Sequence, residues 1–176
     1  MCGRGGGGWA NVALEWQGLV SCRSGVLGYW PLARIHGAGT NEVRFGPSET
    51  IRDELYFSSA TLSSDGRWAI AANISAGAIC FYEVRAPSNR FAISPHPKTA
   101  FPAISPDGNW VASGTWRGSG VRVWEVKSRR VVCDLPTSPS VRATFSPDNR
   151  WLVTGGANYD VWEVGTWKRK LALSRD

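Results

Sequence analysis

Ile104-Ser105-Pro106-Asp107-Gly108-Asn109-Trp110 has two near-copies in the same chain, Leu62-Ser63-Ser64-Asp65-Gly66-Arg67-Trp68 before it and Phe145-Ser146-Pro147-Asp148-Asn149-Arg150-Trp151 after it. Trp68, Trp110 and Trp151 stand 42 and then 41 residues apart. Self-similarity at that period is the signature of a repeat architecture. A second landmark keeps step with the first: Cys80-Phe81-Tyr82-Glu83-Val84, then Val121-Arg122-Val123-Trp124-Glu125-Val126, then Tyr159-Asp160-Val161-Trp162-Glu163-Val164. It lies 14 residues on in two copies, from Trp68 to Tyr82 and from Trp110 to Trp124, and 11 in the third, from Trp151 to Trp162. A hairpin loop absorbs such a difference while the strands keep their lengths.

Each unit has a physical reading. Phe101, Ala103 and Ile104, or Val141, Ala143 and Phe145, describe a first strand whose small residues suit a crowded centre. Ser-Pro-Asp-Gly then reverses the chain: Pro presets φ, Asp can bond the backbone two residues on, and Gly accepts positive φ. Trp110 to Ser113 and Trp151 to Thr154 form the second strand. A Gly-bearing loop (Gly77; Gly118 and Gly120; Gly155 and Gly156) leads into a third strand ending on Trp-Glu, and a short outer strand follows, as in Arg130 to Leu135 and Lys170 to Leu173. Four antiparallel strands in about forty residues is the arithmetic of a β-propeller blade.

The first fifty residues hold a degenerate copy. Asn11 to Trp16 reads as its inner strand, Gln17-Gly18 as the turn, Leu19 to Arg23 as the second strand and Val26 to Leu32 as the third, with Trp30-Pro31 where other copies have Trp-Glu. After a longer loop containing Gly37 and Gly39, Glu42 to Phe45 is expected to be the outer strand. The organisation is thus a Gly-rich leader over 1–10, expected to be disordered, and blades over 11–54, 55–97, 98–137 and 138–176. The leader reads equally as a flexible tail, a misplaced start or the cut end of something longer.

Composition agrees with an all-β class: the 176 residues include 10 Trp, 20 Gly and 10 Pro, the mark of short strands broken by tight turns. The net charge of +6 speaks to association and not to fold. Its cations are scattered, with small clusters only at Arg129-Arg130 and Lys168-Arg169-Lys170, so a solvated basic surface is expected and nucleic acid is not. Cys2, Cys22, Cys80 and Cys133 show neither metal-ligand nor redox spacing; buried free thiols in a reducing, cytoplasmic setting are expected. Neither a secretory signal nor an apolar run of membrane-spanning length is present.

The Ser-Pro-Asp-Gly turn, apolar strand, Gly loop and Val-x-Val-Trp-Glu together resemble the WD-repeat propeller family, in the style of divergent bacterial repeats, from about Asn11 to Leu173. That resemblance implies a docking platform and says little about which process it serves. Family repeats often carry a Gly-His pair and a loop Asp that join Ser or Thr and the Trp in a hydrogen-bond network. Here His36 and His96 stand outside any Gly-His pair, the loops at Ala76-Gly77 and Ser119-Gly120 lack the Asp, and only Asp160 lies near the right place. Packing of aromatics is expected to hold the blades instead. Family propellers usually close with about seven blades, whereas this chain supplies three to four, so an incomplete or partner-completed disc is expected.

For function, no phosphate loop, nucleophile elbow, metalloprotease helix or kinase signature is found, and no catalytic, cofactor or metal residue is assigned. Asp65, Asp107 and Asp148 belong to equivalent turns in different blades, where turn chemistry accounts for them. The resemblance places the loops before the inner strand and between second and third strands on one face. The residues there, Trp116, Arg117, His96, Lys98, Asn158 and Tyr159, form the candidate protein-binding face, with Trp116 and Arg117 foremost because Trp and Arg dominate binding energetics. The expected function is a non-catalytic protein-interaction scaffold that could self-associate to close its disc. The alternative is the propeller segment of a larger bacterial signalling enzyme, for example a serine/threonine kinase.

Overall fold

The computed structural model describes residues 13–15, 18–23, 26–37, 40–53, 57–73, 75–93, 99–115 and 118–175. Each of the three Ser-x-Asp turns closes a hairpin, and the reason is one clasp used three times. Ser63 Oγ donates to Asp65, whose carboxylate also accepts the Arg67 N–H at 2.9 Å, while Ser63 Oγ accepts the Trp68 N–H at 2.8 Å. Ser105, Asp107, Asn109 and Trp110 repeat this, as do Ser146, Asp148, Arg150 and Trp151. The residue after each Asp has positive φ: 67° at Gly66, 72° at Gly108 and 59° at Asn149. Asn tolerates that region through its short polar side chain, so the third clasp survives without glycine.

Four antiparallel sheets result, following one another along the chain. Blade 1 contains β1 (Ala13–Glu15), β2 (Gly18–Arg23), β3 (Val26–Gly37), β4 (Thr40–Phe45) and β5 (Glu49–Asp53). Blade 2 contains β6 (Phe57–Leu62), β7 (Trp68–Asn73), β8 (Ala78–Glu83) and β9 (Ala86–Ile93). Blade 3 contains β10 (Thr99–Ile104), β11 (Trp110–Thr115), β12 (Ser119–Glu125) and β13 (Arg130–Pro139), and blade 4 contains β14 (Arg142–Phe145), β15 (Trp151–Gly155), β16 (Asn158–Glu163) and β17 (Arg169–Ser174). No helix occurs among the described residues. Strands β6, β10 and β14 lie innermost and pack on one another, as a propeller requires.

The core lies between blades. Each blade offers an outgoing face to the next one's incoming face. Val20, Cys22, Leu27, Tyr29 and Ile51 of blade 1 meet Leu62, Ala69, Tyr82 and Val84 of blade 2. Ile70, Ile79, Phe81 and Ile93 of blade 2 meet Ile104, Val111, Trp124 and Val126 of blade 3. Ala112, Val121, Val123 and Leu135 of blade 3 meet Phe145, Leu152, Trp162 and Val164 of blade 4. Period-2 alternation sends every second residue to each face, so both faces of an interior blade are apolar.

Blade 1 departs from expectation. The outer strand is β5, which pairs with Val26 to Tyr29 of β3, and not Glu42 to Phe45. β3 runs on through Pro31, and its second half forms a hairpin with β4, pairing Leu32 with Phe45 and Gly37 with Thr40. Of the stretch expected to be a long loop, Ala33 to Gly37 are strand β3 and Thr40 and Asn41 are strand β4, the two arms of an inserted hairpin, and Gly39 lies outside the described residues. Among the described residues, blade 4 makes no packing contact with blade 1 of the extent seen at the three junctions.

Candidate functional site

Two of the six predicted face residues, Asn158 and Tyr159, fall within the described residues; His96, Lys98, Trp116 and Arg117 lie outside them. As neighbours on β16 the two point to opposite sides of blade 4. Asn158 lines a groove of about 600 Å³ with Asp134, Thr137, Ser138, Asp160 and Arg169, between the edges of blades 3 and 4. Tyr159 lines a cleft of about 730 Å³ with Arg142, Thr144, Val153, Gly155 and Arg175. Arg175 sits 5.8 Å from the Tyr159 ring centroid, within cation–π range. The structure therefore does not gather Asn158 and Tyr159 into one site. Arg142 and Arg175, which sequence reasoning missed, join Tyr159 because β14, one strand beyond β15, and the residue after β17 come near the start of β16 only once the blade is folded.

Part of the hydrogen-bond network is present in blade 4. Trp162 Nε1 donates to Thr154 Oγ1 at 2.9 Å, both buried. Asp160, also buried, lies 3.4 Å from the Arg169 guanidinium where the family's network would bring a histidine. In blade 3 the equivalent hydroxyl, Ser113 Oγ, is buried without a hydrogen-bond partner.

The small basic clusters are partly engaged within the fold. Arg129 stacks over Phe91 of the preceding blade at 4.3 Å, Arg169 pairs with Asp160, and Lys170 pairs with Glu163 at 3.2 Å. Trp167, at the same turn position as Arg129 one blade on, packs edge-on against Trp110 at 5.3 Å. In blades 3 and 4 the turn between third and fourth strands thus reaches back onto the preceding blade.

Cys22, Cys80 and Cys133 are free, in strands as expected. Burial pushes the Cys22 thiol up to about 11, and burial followed by the Asp134 charge does the same for Cys133, to about 11. Both are protonated at neutral pH and poor nucleophiles. Among the described residues no group of three His, Cys, Asp or Glu is placed to hold a metal ion, and no helix is long and apolar enough to cross a membrane.

Four-stranded antiparallel blades, stacked face to face and repeating about every forty residues, define a repeat-built propeller protein. The profile described as "WD domain, G-beta repeat" matches residues 92–125 and 132–161, so those stretches of blades 2 to 4 carry repeats of the WD type. Among solved structures, one titled "Kuenenia stuttgartiensis Hydrazine Synthase" is similar with a TM-score of 0.71 at 15% identity, over 96% of this chain and 49% of that one. The chain thus spans about half the length of that structure, and the likeness is one of fold. Matches extend to 748 solved chains, so the fold selects no single activity. No curated protein sequence matches the chain.

Proposed function

We propose that this chain is a non-catalytic scaffold for protein–protein interaction, acting in the cytoplasm. The observation that carries the reading is the repeated blade of a WD-repeat protein, a family whose propellers generally mediate protein interactions. The proposed docking face is the set of loops holding His96, Lys98, Trp116 and Arg117, together with Asn158 at the start of β16. Free thiols at Cys22, Cys80 and Cys133 support a reducing compartment. The test is capture of partners by the tagged chain beside a Trp116→Ala/Arg117→Ala variant. Loss of specific partners with unchanged thermal unfolding supports the reading. Identical capture by both removes those loops from it.

A second reading is favoured by the open ends of the blade row: the four blades belong to a larger signalling enzyme, such as a serine/threonine kinase, whose remaining parts cover them. An open reading frame upstream of Met1 encoding a kinase core supports this reading. A stop codon directly upstream opposes it.

A further inference from the structure

Blade 4 carries the same outgoing face as blades 2 and 3, with nothing described upon it. Trp151, Val153, Tyr159, Val161, Leu171 and Leu173 share that face by register. Tyr159, Leu171 and Leu173 are 40%, 49% and 48% exposed, whereas Val121 and Leu135, the blade 3 counterparts of Tyr159 and Leu173, are 1% and 3% exposed. Gly155 makes the comparison sharper. Its counterpart Gly114 is where the next blade's inner strand passes, so close that an added Cβ would collide with the Val141 carbonyl; at Gly155 the nearest atoms belong to its own blade's Tyr159 ring. The seat for a neighbouring strand is built at Gly155, and no strand among the described residues fills it.

The matching half is on blade 1. Leu19 pairs with Trp30 across β2 and β3, Leu32 follows two residues on, and Leu32 pairs with Phe45 of β4. Paired residues and alternate residues point to one side, so Leu19, Trp30, Leu32, Phe45 and Val43 form one apolar stripe on the incoming side, where blades 3 and 4 have Trp124 and Trp162. Val43 and Phe45 are 55% and 50% exposed. The β3–β4 hairpin also occupies the connection that, in blades 3 and 4, reaches back onto the preceding blade through Arg129 and Trp167. In blade 1 that connection is lengthened into an arm, and the described residues include no preceding blade for it to reach.

Resting on the scaffold reading above, we propose that a second copy of this chain covers both faces: blade 4 of each copy packs head-to-tail on blade 1 of the other, and the β3–β4 hairpin clasps the joint. One chain carries both the outgoing and the incoming half of a junction, so two copies related by a half-turn close two identical junctions. Head-to-tail contacts of this kind make rings when the rotation closes, and two sets of four blades stay within the size range of propellers. A face of four six-residue strands measures roughly 20 Å by 20 Å, so two junctions bury on the order of 1,600 Å², the size of a stable specific interface.

The test is the mass of the purified full chain by light scattering over a hundredfold range of concentration, with unfolding followed by tryptophan fluorescence. The expected mass is twice the 19.2 kDa of the chain. Leu171→Glu/Leu173→Glu and Val43→Glu/Phe45→Glu alter only exposed side chains, so each variant is expected to unfold cooperatively and to fall to monomer mass. Mixing the two variants restores one intact junction and returns part of the dimer. A cooperatively folded wild-type monomer overturns the proposal, as does mass that keeps growing with concentration, or a Val43→Glu/Phe45→Glu variant that stays fully dimeric because blade 4 pairs with blade 4. The wild-type mass decides even where a variant does not fold. A monomer that still captures partners removes this proposal and leaves the scaffold reading standing.

Discussion

Thr154 and Ser113 occupy the same place in successive blades and meet opposite fates: one hydroxyl accepts the Trp162 indole N–H, and the other is buried without a partner. A buried hydrogen bond contributes about 1 kcal/mol, whereas an unsatisfied buried hydroxyl is a net cost. Thr154→Val is therefore expected to lower unfolding free energy by about 1 kcal/mol, and Ser113→Ala to leave it unchanged or raise it; urea unfolding of both variants checks the contrast. The clasp aspartates give a pH prediction. Hydrogen bonds from Ser146 and the Arg150 N–H hold Asp148 below its ordinary value of 3.8. At Asp107 burial pushes upward, but bonds from Ser105 and Asn109 outweigh it and the net direction is again down. A carboxylate lowered on folding contributes stability that is full above its unfolded value and lost as pH falls through the folded one. The thermal midpoint should fall on acidification below about pH 4, and Asp107→Asn/Asp148→Asn should flatten that limb. The turn chemistry was legible from residue types alone; the partial Trp162–Thr154 pairing was not, because packing decides whether a buried hydroxyl reaches the indole.

At the scale of elements, the hairpins of blades 2 to 4 could be read because a strand, a turn and the next strand lie within one stretch of chain. Blade 1 shows where such reading stops. Thr40 to Phe45 has the pattern of a strand, but pattern does not say which edge it joins, and the edge at Val26 to Tyr29 goes to β5. Register is a competition among strands, settled by which pairing buries more. Gly114 and Gly155 separate local from tertiary need. Gly114→Ala forces a Cβ against the Val141 backbone and should destabilise by more than about 2 kcal/mol by prying blades 3 and 4 apart. Gly155→Ala meets only the exposed Tyr159 ring and should leave the unfolding of a monomer within about 0.5 kcal/mol of wild type. Denaturant curves of the two variants, on a Leu171→Glu/Leu173→Glu background, measure the difference.

For the whole molecule, every interior junction is an apolar face covered by its neighbour, and the two end faces have no neighbouring blade among the described residues. If those faces meet in a dimer, stability becomes linked to chain concentration by mass action. The thermal midpoint of the wild type should then rise with protein concentration, and that of Leu171→Glu/Leu173→Glu should not; calorimetry over a hundredfold range tests this. The candidate face is the least legible part: Asn158 and Tyr159 are adjacent in sequence, but alternation on β16 sends them to different clefts.

The sequence by itself determined the blade: its period, its Ser-Asp turns and the alternation that makes both faces apolar, since these interactions close within about forty residues of chain. Only the tertiary structure decided which strand completes blade 1, which side of blade 4 each residue of β16 faces, and which two faces have no neighbour among the described residues. Those outcomes depend on contacts between blades, where burial is set by the presence of a neighbour and not by the residues that wait for one.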